Sequence, residues 1–205
     1  MKIKICGMRE AENIEAVAAL PIDYMGFIFY PKSARFVADF PKAALDISVK
    51  KVGVFVNDSI ENILSKIELC QLSAVQLHGS ESPEYVENLR KHAAKIEIFK
   101  AFSIDETFDF KGIEDYEGKI DVLLFDTKTP QHGGSGVAFD WNLLEKYDGN
   151  TPFLLAGGIS AADTGGVQKM KQHPTFGGID LNSRFEIAAG LKNVALLQHF
   201  IEQLR

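Results

Sequence analysis

Short runs rich in Val, Ile, Leu and Phe alternate along the chain with longer runs that are apolar on one face only. The short runs are Lys2–Ile5, Tyr24–Phe29, Lys51–Val56, Ala74–Leu77, Ile96–Ala101, Val122–Phe125, Phe153–Ala156 and Gly178–Leu181. Several are apolar at consecutive positions, which is the pattern of parallel strands covered on both sides. Between them, Ala11, Ile14, Val17 and Ala18 fall on one helix face. Ile60, Ile63, Leu64 and Ile67 do the same, with Asp58 or Ser59 placed to cap. Ser82-Pro83 reads as an N-cap followed by proline at the first helical position, and Val86 and Leu89 follow at helical spacing. Val194, Leu197, Ile201 and Leu204 predict a final amphipathic helix capped by Asn193. Thr107–Lys119 is polar and holds Gly112 and Gly118, so only a short or irregular element is expected there.

Eight strands at roughly even spacing predict an α/β fold, a single-domain (β/α)8 TIM barrel over residues 1–205. Its size is at the lower end for that architecture, about 200 residues. An open, doubly wound sheet is the alternative. No Pro/Ser-rich linker or shift of composition divides the chain.

Composition narrows the function classes. Hydrophobic residues at 46% and charged residues at 24% fit a globular protein and exclude disorder as the main state. No apolar run approaches the ~20 residues needed to cross a bilayer. The segment Met1–Gly7 reads as a strand, not as a signal peptide. A net charge of -6 argues against a nucleic-acid surface, which needs clustered Lys and Arg. It leaves an anionic small molecule open, because backbone N–H groups bind phosphate whatever the global charge. The expected partner is thus a small molecule, neither nucleic acid nor membrane. Cys6 and Cys70 form no disulfide framework, which predicts a cytoplasmic location. His78, His92, His132, His173 and His199 do not pair at ligand spacing, so no metal site is expected.

In such a barrel the chemistry sits where strands end and βα loops begin. Cys6 ends the first strand. It reads either as a small buried hydrophobe or as a thiolate base or nucleophile, and the second needs a nearby positive group. Asp126 ends the sixth strand, as a loop cap or as a general acid whose proton is favoured by partial burial. Arg35 lies in the loop after the second strand, either solvated or as a fork for a carboxylate. Gly157-Gly158 after the seventh strand make a tight turn, a phosphate site, or both. Asn182-Ser183-Arg184 after the eighth belongs to the second loop that builds phosphate sites in these barrels. Gly133-Gly134-Ser135-Gly136 lacks the lysine and spacing of a P-loop and reads as a cover or a surface loop.

With these residues placed, the sequence resembles the phosphoribosylanthranilate isomerases of tryptophan biosynthesis. The resemblance rests on Lys4-Ile5-Cys6-Gly7, Gly26–Arg35, Val52–Asn57, Val75–Gly79, Phe125-Asp126-Thr127 with Gly133–Gly136, Leu155–Ile159 and Asp180–Ser183, in order and each at a strand end. It implies an aldose–ketose isomerase that performs an Amadori rearrangement without a cofactor, as a monomer or homodimer. It implies Cys6 as general base and Asp126 as general acid, and Arg35 at the anthranilate carboxylate. Gly157, Gly158 and Ser183 would hold phosphate, Asp180 would lie beside the sugar, and His78 would line the site. Arg184 departs from the family, where glycine often follows the serine, and Ala189 stands where proline is common. The related histidine-pathway isomerase has an aspartate where this chain has Cys6, and a barrel that binds a sugar phosphate without turnover is the non-enzymatic alternative.

Overall fold

The computed structural model describes residues 1–127 and 140–205. Eight parallel strands close into a barrel in sequence order. They are β1 (Lys2–Ile5), β2 (Tyr24–Ile28), β3 (Lys50–Phe55), β4 (Ala74–Leu77), β5 (Glu97–Ile104), β6 (Val122–Thr127), β7 (Phe153–Leu155) and β8 (Phe176–Leu181). The ring closes where β1 pairs with β8, from Lys2 opposite Gly178 to Ile5 opposite Leu181. The open-sheet alternative is thereby excluded. β5 runs three residues beyond its predicted end, because Phe102, Ser103 and Ile104 find partners in Phe125, Asp126 and Thr127 of β6.

Alternate strand residues serve two different cores. Ile3, Ile5, Met25, Phe27, Phe55, Leu123, Phe125, Ile179 and Leu181 face outward and belong to one continuous cluster under the helices. Tyr24, Val52, Ala74, Phe99 and Leu154 form a separate cluster inside the barrel, and Ala101, Leu124 and Ala156 another. This double demand is why the strands read as apolar on both faces. Lys4 is in register with Tyr24 on one side and Asp180 on the other, so it shares the inward parity. Inward positions therefore turn polar towards the C-terminal mouth: Lys4, Cys6, Gln76, His78, Asp126 and Asp180.

Four crossovers hold α-helices, α1 (Ala11–Ala18), α2 (Ile60–Leu69), α3 (Pro83–His92) and α4 (Thr164–Met170), and a further helix, α5 (Val194–Leu204), follows β8. The predicted caps are in place. Ser59 accepts from the Asn62 N–H at 3.1 Å, Ser82 from Tyr85 at 3.3 Å and Asn193 from Leu196 at 3.1 Å. α5 buries Leu197, Phe200, Ile201 and Leu204, each worth about 1.5–3 kcal/mol when withdrawn from water. The crossovers after β2, β5 and β6 carry 3-10 turns at Lys42–Leu45, Phe110–Tyr116 and Trp141–Lys146. Each still buries one apolar residue against the barrel, namely Ala44, Ile113 and Leu144. Such economy lets the architecture fit a short chain. After β8 comes an antiparallel ribbon, β9 (Glu186–Ala188) and β10 (Leu191–Lys192), that the hydrophobic pattern does not announce.

Candidate active site

The nine residues expected at the site, Cys6, Arg35, His78, Asp126, Gly157, Gly158, Asp180, Ser183 and Arg184, all line one cleft at the C-terminal mouth. Strand ladders set them there. The Cys6 N–H donates to Leu181 O at 2.9 Å, His78 N–H to Phe55 O at 2.8 Å and Ala156 N–H to Phe125 O at 2.8 Å. Each pairing carries the ladder one residue past the strand, and the side chain of that residue lines the cleft.

Cys6 is buried, with a free thiol. The positive group that a thiolate needs is the ammonium of Lys4, a fully buried residue that sequence reading passed over. Lys4 Nζ lies beside the thiol, both close to Gly26, and donates to both carboxylate oxygens of Asp180 at 3.0 Å. Burial pulls the Lys4 ammonium down, but Asp180 and Cys6 together hold it above its ordinary value. The thiol itself does not follow the expectation of an acidic cysteine. Burial pushes it up, and Lys4 and Lys192 only oppose the rise. The Cys6 thiol is thus held above its ordinary value by burial, with Lys4 and Lys192 placed to favour its anion.

Asp126 accepts from the Thr127 N–H at 2.8 Å through Oδ1, and its Oδ2 lies 3.4 Å from His78 Nε2. The other ring nitrogen of His78 is 2.8 Å from Gln76 Nε2. The His78 imidazole is thus held from behind with one edge towards the carboxyl group. Gly157 and Gly158 have φ of 81° and 71°, a region that residues with a Cβ rarely adopt. A Cβ on Gly157 would also lie 2.3 Å from Thr127 Oγ1 and 2.9 Å from Asp126 Oδ1. The two readings of this turn are compatible: it is tight, and it brings backbone to the edge of the cleft beside Asp126.

Arg35 faces the cleft, but one edge of its fork is already taken. Its Nε donates to Glu186 Oε1 at 2.8 Å and its Nη2 to Oε2 at 2.6 Å. Glu186 also accepts from Lys192 Nζ at 2.6 Å, and Lys192 donates in turn to Asn182 Oδ1 at 2.7 Å. Sequence reading missed Glu186 and Lys192 because the β9–β10 ribbon gives no periodic signal. Lys4 did give one: a lysine between Ile3 and Ile5, in a strand buried on both faces, needs a partner inside the barrel. Ser183 and Arg184 lie in a 3-10 turn, Ser183–Phe185. The described non-glycine residues with positive φ are Asn57 and Gln71, so the turn does not demand glycine at Arg184.

Gly133–Gly136 and His132 lie outside the described residues. Among the described residues no group of three or more His, Cys, Asp or Glu is placed to hold a metal ion, and no helix is long and apolar enough to cross a membrane.

Comparison with known proteins places this geometry. The N-(5'-phosphoribosyl)anthranilate (PRA) isomerase family matches residues 3–203. The chain is 48% identical to the N-(5'-phosphoribosyl)anthranilate isomerase of Parabacteroides distasonis, across all of this chain and 93% of the relative. The crystal structure of phosphoribosyl anthranilate isomerase from Thermus thermophilus superposes with a TM-score of 0.85 at 30% identity, over 100% of this chain and 98% of that one. A second structure, of the isomerase in complex with reduced 1-(o-carboxyphenylamino)-1-deoxyribulose 5-phosphate, gives 0.78 at 31% identity with the same coverage. By the span of the match and by its barrel, the chain belongs to the phosphoribosylanthranilate isomerase family of tryptophan biosynthesis.

Proposed function

We propose that the chain converts N-(5-phosphoribosyl)anthranilate to 1-(2-carboxyphenylamino)-1-deoxyribulose 5-phosphate by an Amadori rearrangement, with Cys6 as general base and Asp126 as general acid. The observation that carries this reading is the meeting of a cation-flanked thiol, a carboxyl group and the Gly157-Gly158 and Ser183 turns in one cleft. Phosphate anchored at the β7 and β8 loops orients the sugar across the mouth between Cys6 and Asp126. The solved family member with a reduced product analogue supports a phosphorylated ligand of this shape.

Asp126 in its protonated form gives its proton to the ring oxygen as the nitrogen lone pair displaces it from C1, and the furanose opens to a protonated imine at C1. Cys6 as the thiolate removes the proton on C2. The freed electron pair forms the C1–C2 double bond and the imine nitrogen receives the displaced pair, giving an enolamine. Loss of the C2 hydroxyl proton and protonation of C1 then yield the ketone. The substrate's own nitrogen is the electron sink, so the sequence of steps balances without a cofactor. Asp180, held by Lys4, lies beside the sugar, and Arg35 faces the anthranilate carboxylate. His78, at Asp126 Oδ2, lines the acid side of the cleft.

The test is turnover of N-(5-phosphoribosyl)anthranilate generated in place, followed by loss of its fluorescence. Cys6→Ser and Asp126→Asn should each lower kcat by about 10²–10⁴-fold. A Cys6→Ser enzyme with near-normal kcat would overturn the base assignment. Tight binding of a product analogue without turnover would favour a binding protein instead.

A further inference from the structure

Glu186 takes no part in the proposed proton transfers, yet it is built into the mouth with unusual completeness. Its side chain is 5% exposed. Its Oε1 accepts from Arg35 Nε at 2.8 Å, from Lys192 Nζ at 2.6 Å and from the Gly190 N–H at 3.1 Å. Its Oε2 accepts from Arg35 Nη2 at 2.6 Å and from Nε at 3.1 Å. The carboxylate is therefore anchored to its own ribbon by Gly190 and Lys192, independently of Arg35.

A guanidinium offers two edges, each able to grip a carboxylate with two N–H groups. Glu186 grips the Nε–Nη2 edge. This leaves the Nη1–Nη2 edge turned the other way, and Arg35 is one of the groups lining the cleft. The arginine stem is fixed as well. It crosses directly over Gly7, where a Cβ would lie 2.6 Å from Arg35 Cδ. One carboxylate is thus balanced by two cations, Arg35 and Lys192, and the group as a whole keeps a positive charge for an anionic ligand.

We propose that Glu186 is a positioning residue that sets Arg35 as a bridge, one edge on the protein and the other on the carboxylate of the substrate's aromatic ring. The inference rests on the reading that Arg35 faces that carboxylate. It gives the ribbon after β8 a role in choosing the substrate: it selects anthranilate-type over plain aniline-type phosphoribosyl compounds.

The test compares two inhibitors by calorimetry, the reduced product analogue and its counterpart lacking the ring carboxyl group. Wild-type enzyme should prefer the carboxylated compound by on the order of 10- to 100-fold. Glu186→Gln keeps the shape and removes the charge, and Glu186→Asp restores the charge on a shorter arm. Arg35→Met is measured alongside. The proposal expects the preference to fall about fivefold or more in Glu186→Gln, to recover in part in Glu186→Asp, and to collapse in Arg35→Met. Affinity for the carboxyl-free compound should hold in all three. A preference lost in Arg35→Met but intact in Glu186→Gln overturns the role of Glu186 alone. A preference intact in both overturns the Arg35 reading first, and this inference with it. Equal loss for both inhibitors in Glu186→Gln makes Glu186 merely structural. A gain for the carboxylated compound shows that Glu186 competes with the ligand, which also overturns the proposal.

Discussion

Lys4 and Asp180 face each other in register across the seam that closes the barrel, and the ammonium of one is 3.0 Å from both oxygens of the other. The same ammonium reaches the Cys6 thiol. The residue that helps lock the first strand to the last thus also supplies the charge that a thiolate requires.

A pH effect follows from that arrangement. If the thiolate is the base, kcat/KM rises with pH as Cys6 loses its proton, and burial places this rise above the ordinary thiol range. Lys4→Met removes the cation that favours the anion, so the rise moves to higher pH. Asp180, left unpaired, takes up a proton and stops repelling the thiolate, which limits the movement. Lys4→Arg keeps the charge and should move the profile less. The rate of alkylation of Cys6 by iodoacetamide, read by mass, should shift in parallel. An unchanged profile in Lys4→Met would show that Lys4 acts on the fold alone.

The pair also predicts non-additive stability. Removing one partner of a buried ion pair leaves the other buried without its counter-charge and costs about 3–5 kcal/mol. Lys4→Met should therefore lower the urea midpoint strongly, and so should Asp180→Leu. The double variant should be more stable than either single one, because no ionisable group is left buried without its partner. Additive losses in equilibrium unfolding would contradict this account.

The barrel was legible because one physical demand, strands buried on both faces, leaves a periodic trace. The caps at Ser59, Ser82 and Asn193 were legible for a similar reason, since each needs only local sequence. Strand-end logic, joined to the family resemblance, also brought nine residues to one cleft. What stayed hidden depends on pairing across sequence distance. Lys4 and Asp180 are 176 residues apart, and nothing local says which carboxylate meets which lysine. Glu186 and Lys192 sit in a short ribbon whose strands are three and two residues long, too short for any alternation to show. The state of Cys6 depends on a balance between burial and two lysines, which composition does not reveal.

Gly157 offers a direct test of the β7 turn. Gly157→Ala places a Cβ at φ 81°, 2.3 Å from Thr127 Oγ1 and 2.5 Å from the Thr127 nitrogen. Backbone strain of this kind costs about 1–3 kcal/mol, which corresponds to a drop in Tm of roughly 3–10 °C. Relief of the clash must move either the glycine turn or the Asp126–Thr127 strand end. Inhibition by inorganic phosphate should then weaken several-fold. Unaltered phosphate inhibition in a destabilised Gly157→Ala enzyme would remove this turn from the phosphate site.

Glu186 predicts the shape of acid denaturation. Burial alone would push its carboxyl group up, but Arg35 and Lys192 outweigh burial and hold it below the usual carboxylate range. A carboxyl group depressed on folding adds stability that is complete above its unfolded value, ~4.3. That stability is lost as the pH falls through the folded value. Glu186→Gln should therefore be less stable than wild type at pH 7, with Lys192 left buried and driven further towards its neutral form. As the pH is lowered below about 4, wild type should lose this contribution and the variant should not. Urea midpoints measured from pH 7 to pH 3 should converge. Curves that stay parallel would mean that Arg35 and Lys192 do not hold Glu186 ionised in the folded protein.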